Sequence, residues 1–273
     1  MASSVGRESL AEASEKLVAE TAEATAGQRA TIADEILSTA GLLRAEPRLR
    51  RALTDPSRSG SARADLLRSL LAGKLGEATV DVLATLVAGR WSRPSELLDA
   101  TEKLGVEAVL AAAEKAGKLA DVEDELFRFG QIVSGNSELA VTLSDPGATT
   151  ERRVKLVEDL LKGKTQPATL RLIEVALEGF GGRSFEFSLT RLVELTAAKR
   201  DREVAYVTVA KPLDDAEEER LSAKLSELYG RQISLKVHVD PKVIGGVSVQ
   251  VGSDLYDGTI LRRLNEARQA FAK

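Results

Sequence analysis

The sequence predicts a mainly α protein, with two tandem antiparallel helical bundles followed by a small α/β domain of order β-α-β-β-α. Three observations predict it. Aromatic residues make up only 4% of the 273-residue chain, and alanine and leucine are abundant. That composition suits packed helices better than sheets, which lean on aromatic and β-branched side chains. The chain also repeats itself at an offset of 90 residues. Finally, near residue 203 the hydrophobic spacing changes from helical to strictly alternating.

The repeat is ungapped. Leu53, Thr54, Asp55 and Pro56 fall on Leu143, Ser144, Asp145 and Pro146. Arg63 falls on Arg153, Gly73-Lys74 on Gly163-Lys164, Gly89 on Gly179 and Arg93 on Arg183. Upstream, Gly27 meets Gly117 and Asp34-Glu35 meets Asp124-Glu125. Chance aligns alanines and leucines in any helical chain, but it does not readily align Asp-Pro turns and glycines in one register, so a duplication is the reading.

Each copy has helical punctuation. In the second, Thr149 or Thr150 can cap a helix through Val154, Val157, Leu160 and Leu161, with Gly163 suited to a left-handed end. Leu170, Ile173, Ala176 and Leu177 then recur at three- and four-residue spacing. The first copy repeats this with Leu66, Leu70, Gly73, Val80, Leu83 and Val87. Each Asp-Pro pair ends the helix before it, because proline disfavours helical geometry in the preceding residue. Longer amphipathic stretches flank these at about 7–25, 28–45, 106–117 and 119–135. The expected division is a first bundle at 1–105, a second at 106–202 and the α/β domain at 203–273.

In the last part, Val204 to Ala210 alternate as a strand and Asp214-Asp215 suit a helix start. The helix carries Leu221, Leu225 and Leu228 and stops at Gly230. Ile233, Leu235, Val237 and Val239 mark a second strand, and Val247, Val249 and Val251 a third. A closing helix is expected over about 259–271.

Composition excludes several chemistries. The formal charge is −4 and cysteine is absent, so thiolate metal sites, disulfides and cysteine nucleophiles have no foothold. A net acidic chain is poorly suited to general attraction toward phosphate backbones. The N-terminal segment lacks the apolar core of a secretory signal, and no stretch of about eighteen apolar residues offers a membrane span. His238, the single histidine, sits on an alternating strand and reads as a surface residue. The glycines at 245, 246, 252 and 258 lack the spacing of a phosphate loop and read as turns, so no cofactor or metal is expected. Arg90-Trp91-Ser92-Arg93-Pro94 joins positive charge to the single tryptophan and reads as a loop between helices.

The segment VHVDPKVIGGVSVQVGSDLYDGTILRRLNEARQ resembles the C-terminal signature of the delta (oligomycin-sensitivity-conferring) subunits of F-type ATP synthases. It carries Asp240-Pro241, Ile244-Gly245-Gly246, Val251-Gly252 and Asp257-Gly258-Thr259 in the family's order. VLAAAEKAGKLADVEDELFRF (109–129) and the helical punctuation resemble the family's N-terminal bundle, which is ordinarily present once. The resemblance implies a non-catalytic stator subunit on the cytoplasmic face of the energy-transducing plasma membrane. Its partners would be the N-terminal helices of the catalytic-head alpha subunits and the b-type peripheral stalk. It further implies that the second copy receives the alpha helix, through Val106, Val109 and Leu110 with Leu172, Ile173, Ala176 and Leu177. Asp240, Pro241, Gly245, Gly246, Gly252, Asp257 and Gly258 would be structural turns. An unrelated helical adaptor and a nucleic-acid-binding protein with a small α/β module are the alternative readings.

Overall fold

The computed structural model describes residues 4–260 and 262, apart from 146, 201, 231 and 253. The elements in chain order are α1 (Ser4–Glu20), α2 (Ala26–Ala45), α3 (Pro47–Leu53), α4 (Gly60–Leu71), α5 (Glu77–Ala88) and α6 (Pro94–Lys115). They continue with α7 (Leu119–Gly135), α8 (Ser137–Ser144), α9 (Thr150–Leu161), α10 (Pro167–Leu177), a 3-10 turn at Phe180–Gly182 and α11 (Phe185–Lys199). The last part holds β1 (Arg202–Val209), α12 (Asp215–Tyr229), β2 (Gln232–Val239), β3 (Val247–Val251) and β4 (Asp254–Asp257). The chain divides into two compact units, Met1–Leu126 with Ser137–Leu189, and Phe127–Asn136 with Thr190–Lys273.

The repeat governs the first unit. α4 begins at residue 60 and α9 at 150, and α5 begins at 77 and α10 at 167. Ser59 and Thr149 cap α4 and α9 by accepting from the amides of Ala62 and Arg152. Gly73 and Gly163 follow those helices at φ 70° and 71°, a left-handed conformation that glycine adopts without a Cβ penalty. The polar interior repeats too. Glu35 accepts from the amide of Gly76 at 2.9 Å and from the hydroxyl of Thr79. Its counterpart Glu125 accepts from the amide of Gln166 at 2.9 Å and from the hydroxyl of Thr169. Neither Gly76 nor Gln166 supplies a side-chain cap of its own. A carboxylate from the neighbouring helix therefore satisfies the free amide at the start of α5 and of α10.

At this offset the counterpart of α1 lies within α6. The same helix thus ends the first copy and begins the second, and the 105/106 boundary falls in its interior. α6 packs against α2 on one side and α10 on another, with Leu97, Leu104, Val106, Val109 and Leu110 all buried. The approach to α2 is close, since a Cβ on Gly105 would lie 2.5 Å from Leu37 Cδ2.

In the second unit the strands form one sheet in the order β2-β1-β3-β4. β1 pairs parallel with β2, from Arg202↔Gln232 to Val209↔Val239, and antiparallel with β3. The parallel pair is joined through α12, whose start is secured by a capping box between Asp214 and Glu217. Ala205, Val207, Val209, Ile233, Val249 and Val251 turn to one face and bury there with Leu225 of α12. The other face meets residues 127–131. The Tyr206 and Phe127 rings lie 6.5 Å apart, Lys236 Nζ stands 5.5 Å from the Phe127 centroid, and His238 Nδ1 meets Gln131 Oε1 at 2.9 Å. The alternation along β2 thus assigns apolar residues to α12 and polar ones to the opposite face.

The sheet has one strand more than the alternation predicts. β4 is four residues long and largely exposed, so its side chains carry too little hydrophobic contrast to mark it in the sequence. The closing helix expected over 259–271 lies mostly outside the described residues.

Candidate partner-binding surfaces

Val106, Val109 and Leu110 on α6 and Leu172, Ile173, Ala176 and Leu177 on α10 are each at most 4% exposed. The structure brings their two helices together, and these seven side chains form core beneath the surface of the second copy. The reason lies in α6. Because it serves both copies, its buried positions run almost all round the helix, from Leu97 and Ala100 to Val109 and Ala113.

Beside this core the copies are joined by charge. Arg44 on α2 pairs with Glu102 on α6 at 2.7 Å and with Glu178 at the end of α10. Glu102 also accepts from the Gly181 amide at 2.8 Å, and Arg171 on α10 reaches Asp34 on α2 at 2.8 Å. Burial raises the Glu102 carboxyl above its ordinary value, against the opposing effect of the Gly181 amide and Arg44. The folded chain therefore holds that proton more tightly than the unfolded chain. The associated stability is full below 4.5, the ordinary value, and is lost as pH rises through the raised folded value. Melting measured from pH 7 downward should show the native chain gaining stability relative to a Glu102→Gln variant. A difference that stays constant, or that shrinks, would contradict this.

α9 is less covered than its counterpart α4. α4 buries Arg63, Ala64, Leu67 and Leu71, whereas Val157 is the one residue of α9 buried to that degree. Val154 is only partly covered where Ala64 is buried, and Leu160 is 40% exposed. Between α9 and α10 lies a recess of about 350 Å³, with Val154 at its apolar part and Glu158, Glu174 and Glu178 at its rim.

The C-terminal turns are tied by backbone and carboxylate hydrogen bonds. Asp240 Oδ1 accepts from the Lys242 amide at 2.9 Å, and the turn through Pro241 closes with Val243 N donating to Asp240 O at 3.0 Å. The Ile260 amide donates to Gly245 O at 3.0 Å, which places Gly245 and Gly246 against residues 258–260. The Gly258 amide donates to Val247 O at 2.9 Å, and Asp257 accepts from the Thr259 amide at 3.0 Å. Hydrogen bonds from Thr259 hold the Asp257 carboxyl below its ordinary value. Gly252 turns the chain between β3 and β4. On the same unit, Leu228, Ile244 and Leu255 are each more than 60% exposed.

Among the described residues, no cluster of three or more His, Cys, Asp or Glu side chains could hold a metal ion. No described helix is long and apolar enough to cross a membrane. Sequence reasoning did not assign roles to Arg44, Glu102 or Arg63. The repeat register contained Arg63 but gave no hint of what its guanidinium holds.

The model of the ATP synthase delta (OSCP) subunit family matches residues 106–271. It takes in most of the second helical copy and of the α/β domain. An ATP synthase subunit delta of Salinispora arenicola is 61% identical over the whole of both chains. One of Salinispora tropica is 60% identical, again over both whole chains. One of Streptomyces griseus is 46% identical over 98% of this chain and 99% of its own. The first copy is therefore shared with full-length relatives although the family model does not reach it. The chain belongs to the ATP synthase delta (OSCP) subunit family.

Proposed function

We propose that this non-catalytic stator subunit grips the catalytic head through its second helical copy and the peripheral stalk through its α/β domain. The observation that carries the reading is the extent of the family match, which spans these two parts and omits the first copy. The acidic flank of α9 and α10 supports it, since Glu158, Glu174 and Glu178 stand where the first copy has Arg68, Ala84 and Ala88. An amphipathic helix from the N-terminus of an alpha subunit would lie over Val154 and Leu160, with its basic residues against Glu158 and Glu174. Val106, Val109, Leu110, Leu172, Ile173, Ala176 and Leu177 would be the packed support beneath it. The b-type stalk would take the exposed Leu228, Ile244 and Leu255 of the α/β domain. Membrane attachment at the cytoplasmic face would then come through the complex.

The two copies provide an internal control. Leu160 and Leu70 occupy equivalent positions and are 40% and 39% exposed. In titrations of the full chain with an alpha N-terminal peptide, Leu160→Glu should weaken binding by about tenfold or more, as loss of a well-packed contact does. Leu70→Glu should leave it unchanged. The opposite pattern would move the grip to the first copy. Stalk binding that survives Leu228→Glu combined with Leu255→Glu would exclude the α/β surface.

A further inference from the structure

The first copy carries a feature that the second lacks and that the stator reading does not use. Around Trp91 lie two recesses of about 620 and 460 Å³. They share Thr54, Pro56, Trp91 and Ser92, so they form one continuous trough. Pro56 and Trp91 line both recesses and Pro94 one of them, and the edges carry Arg51, Arg58 and Arg90 against the single carboxylate of Asp55. The Trp91 ring is fixed, because its Nε1 donates to Leu86 O at 3.2 Å. Among the described residues Arg51 and Arg90 have no carboxylate partner, and the Arg58 contact to Asp55 is long at 3.7 Å. These positive groups are concentrated on a chain whose overall charge is −4.

The trough is rigid before anything binds. Arg63, buried at its floor, donates to the carbonyls of Asp55 and Arg58 on one wall. It also donates to those of Val87, Ala88 and Gly89 on the other. At the equivalent places the second copy has Ala148, Phe180 and Gly181 instead of Arg58, Arg90 and Trp91. The cationic edge and the indole therefore belong to the first copy alone.

We propose that the trough around Trp91 docks an acidic polypeptide segment of a partner in the assembled synthase. An apolar side chain of that segment lies on the indole, and flanking carboxylates meet Arg51, Arg58 and Arg90. Guanidinium groups pair with carboxylates in a planar, two-pronged geometry. An open trough with a preformed apolar centre suits an extended chain that contributes alternate side chains. A nucleic acid fits less well, because its backbone would meet the acidic remainder of the protein.

The test places a photo-crosslinking residue at the exposed Ser92, as Ser92→p-benzoylphenylalanine, in the full chain within purified synthase. Illumination followed by peptide mapping should give one main adduct, to a segment of another subunit rich in Asp and Glu. Adding Arg58→Glu and Arg90→Glu should cut its yield by about tenfold or more, the scale expected when complementary charges are reversed. Trp91→Phe should retain most of it. An unchanged yield after charge reversal, an adduct to a segment without acidic residues, an adduct to nucleic acid, or no adduct would each overturn the proposal. Gel analysis of the purified complex shows whether the chain has assembled, and its melting curve shows that the variants fold. Loss of assembly through the second copy is thereby distinguished from failure at the trough.

Discussion

Ile173→Ala is expected to destabilise the first unit by about 2–5 kcal/mol, the range for truncating a fully buried aliphatic side chain. Ile173 has no exposed surface, and its neighbours on α10, Leu172, Ala176 and Leu177, are buried with it. The removed methyl and methylene groups leave a void that the helices around it cannot close. This prediction also separates the two roles open to the α6–α10 residues. A core residue lowers the denaturation midpoint whether or not a partner is present. A residue in direct contact with the alpha helix would weaken that binding and leave the free chain's melt nearly unchanged. Urea unfolding of the isolated chain decides, and an unaltered midpoint would contradict the enclosed position.

Arg63→Ala should cost at least about 3 kcal/mol, while Arg153→Ala, at the equivalent place, should cost about 1–2 kcal/mol. The contrast follows from what each guanidinium holds. Arg63 serves five carbonyl oxygens, two on the loop between α3 and α4 and three at the end of α5 and Gly89 beyond it, at 2.7–3.3 Å. Truncation leaves these carbonyls unpaired and releases the α3–α4 loop from the end of α5. Among the described residues, Arg153 reaches the carbonyl of Leu143 and the hydroxyl of Thr150, and its buried Nε has no partner. Paired denaturation curves would measure the ratio directly. Equal losses at the two sites would show that hydrogen-bond number does not set the cost here. Arg63→Lys should recover little, since an ammonium cannot present five donors in a plane.

Much of the architecture was legible because punctuation repeats. The Asp-Pro turns, Gly73 and Gly163, and a threonine cap at 149 or 150 mark helix ends by backbone chemistry alone, so they could be read without tertiary information. The alternation through Ile233, Leu235 and Val237 likewise set those residues on the face that meets α12. The sharing of α6 was not legible. A stripe shows that one face is apolar, whereas α6 buries Glu96, Thr101 and Glu102 as well as its aliphatic residues, and polar letters conceal burial. For the same reason the α6–α10 side chains could be named as a group but not assigned a depth. Glu102 becomes part of a junction only when α2 brings Arg44 to it from 58 positions away. β4 was missed because a short exposed strand depends on its neighbour's hydrogen bonds rather than on its own hydrophobic pattern.

A helix that belongs to two bundles also constrains how such a protein can change over generations. A cut at the middle of α6 would leave each copy with half a wall, so neither half would be a viable product. Excising one whole period in register rejoins the first part of one copy to the remainder of the next and restores an unbroken helix. The number of helical copies therefore changes in whole periods, as in a chain of links that each lend a side to the next.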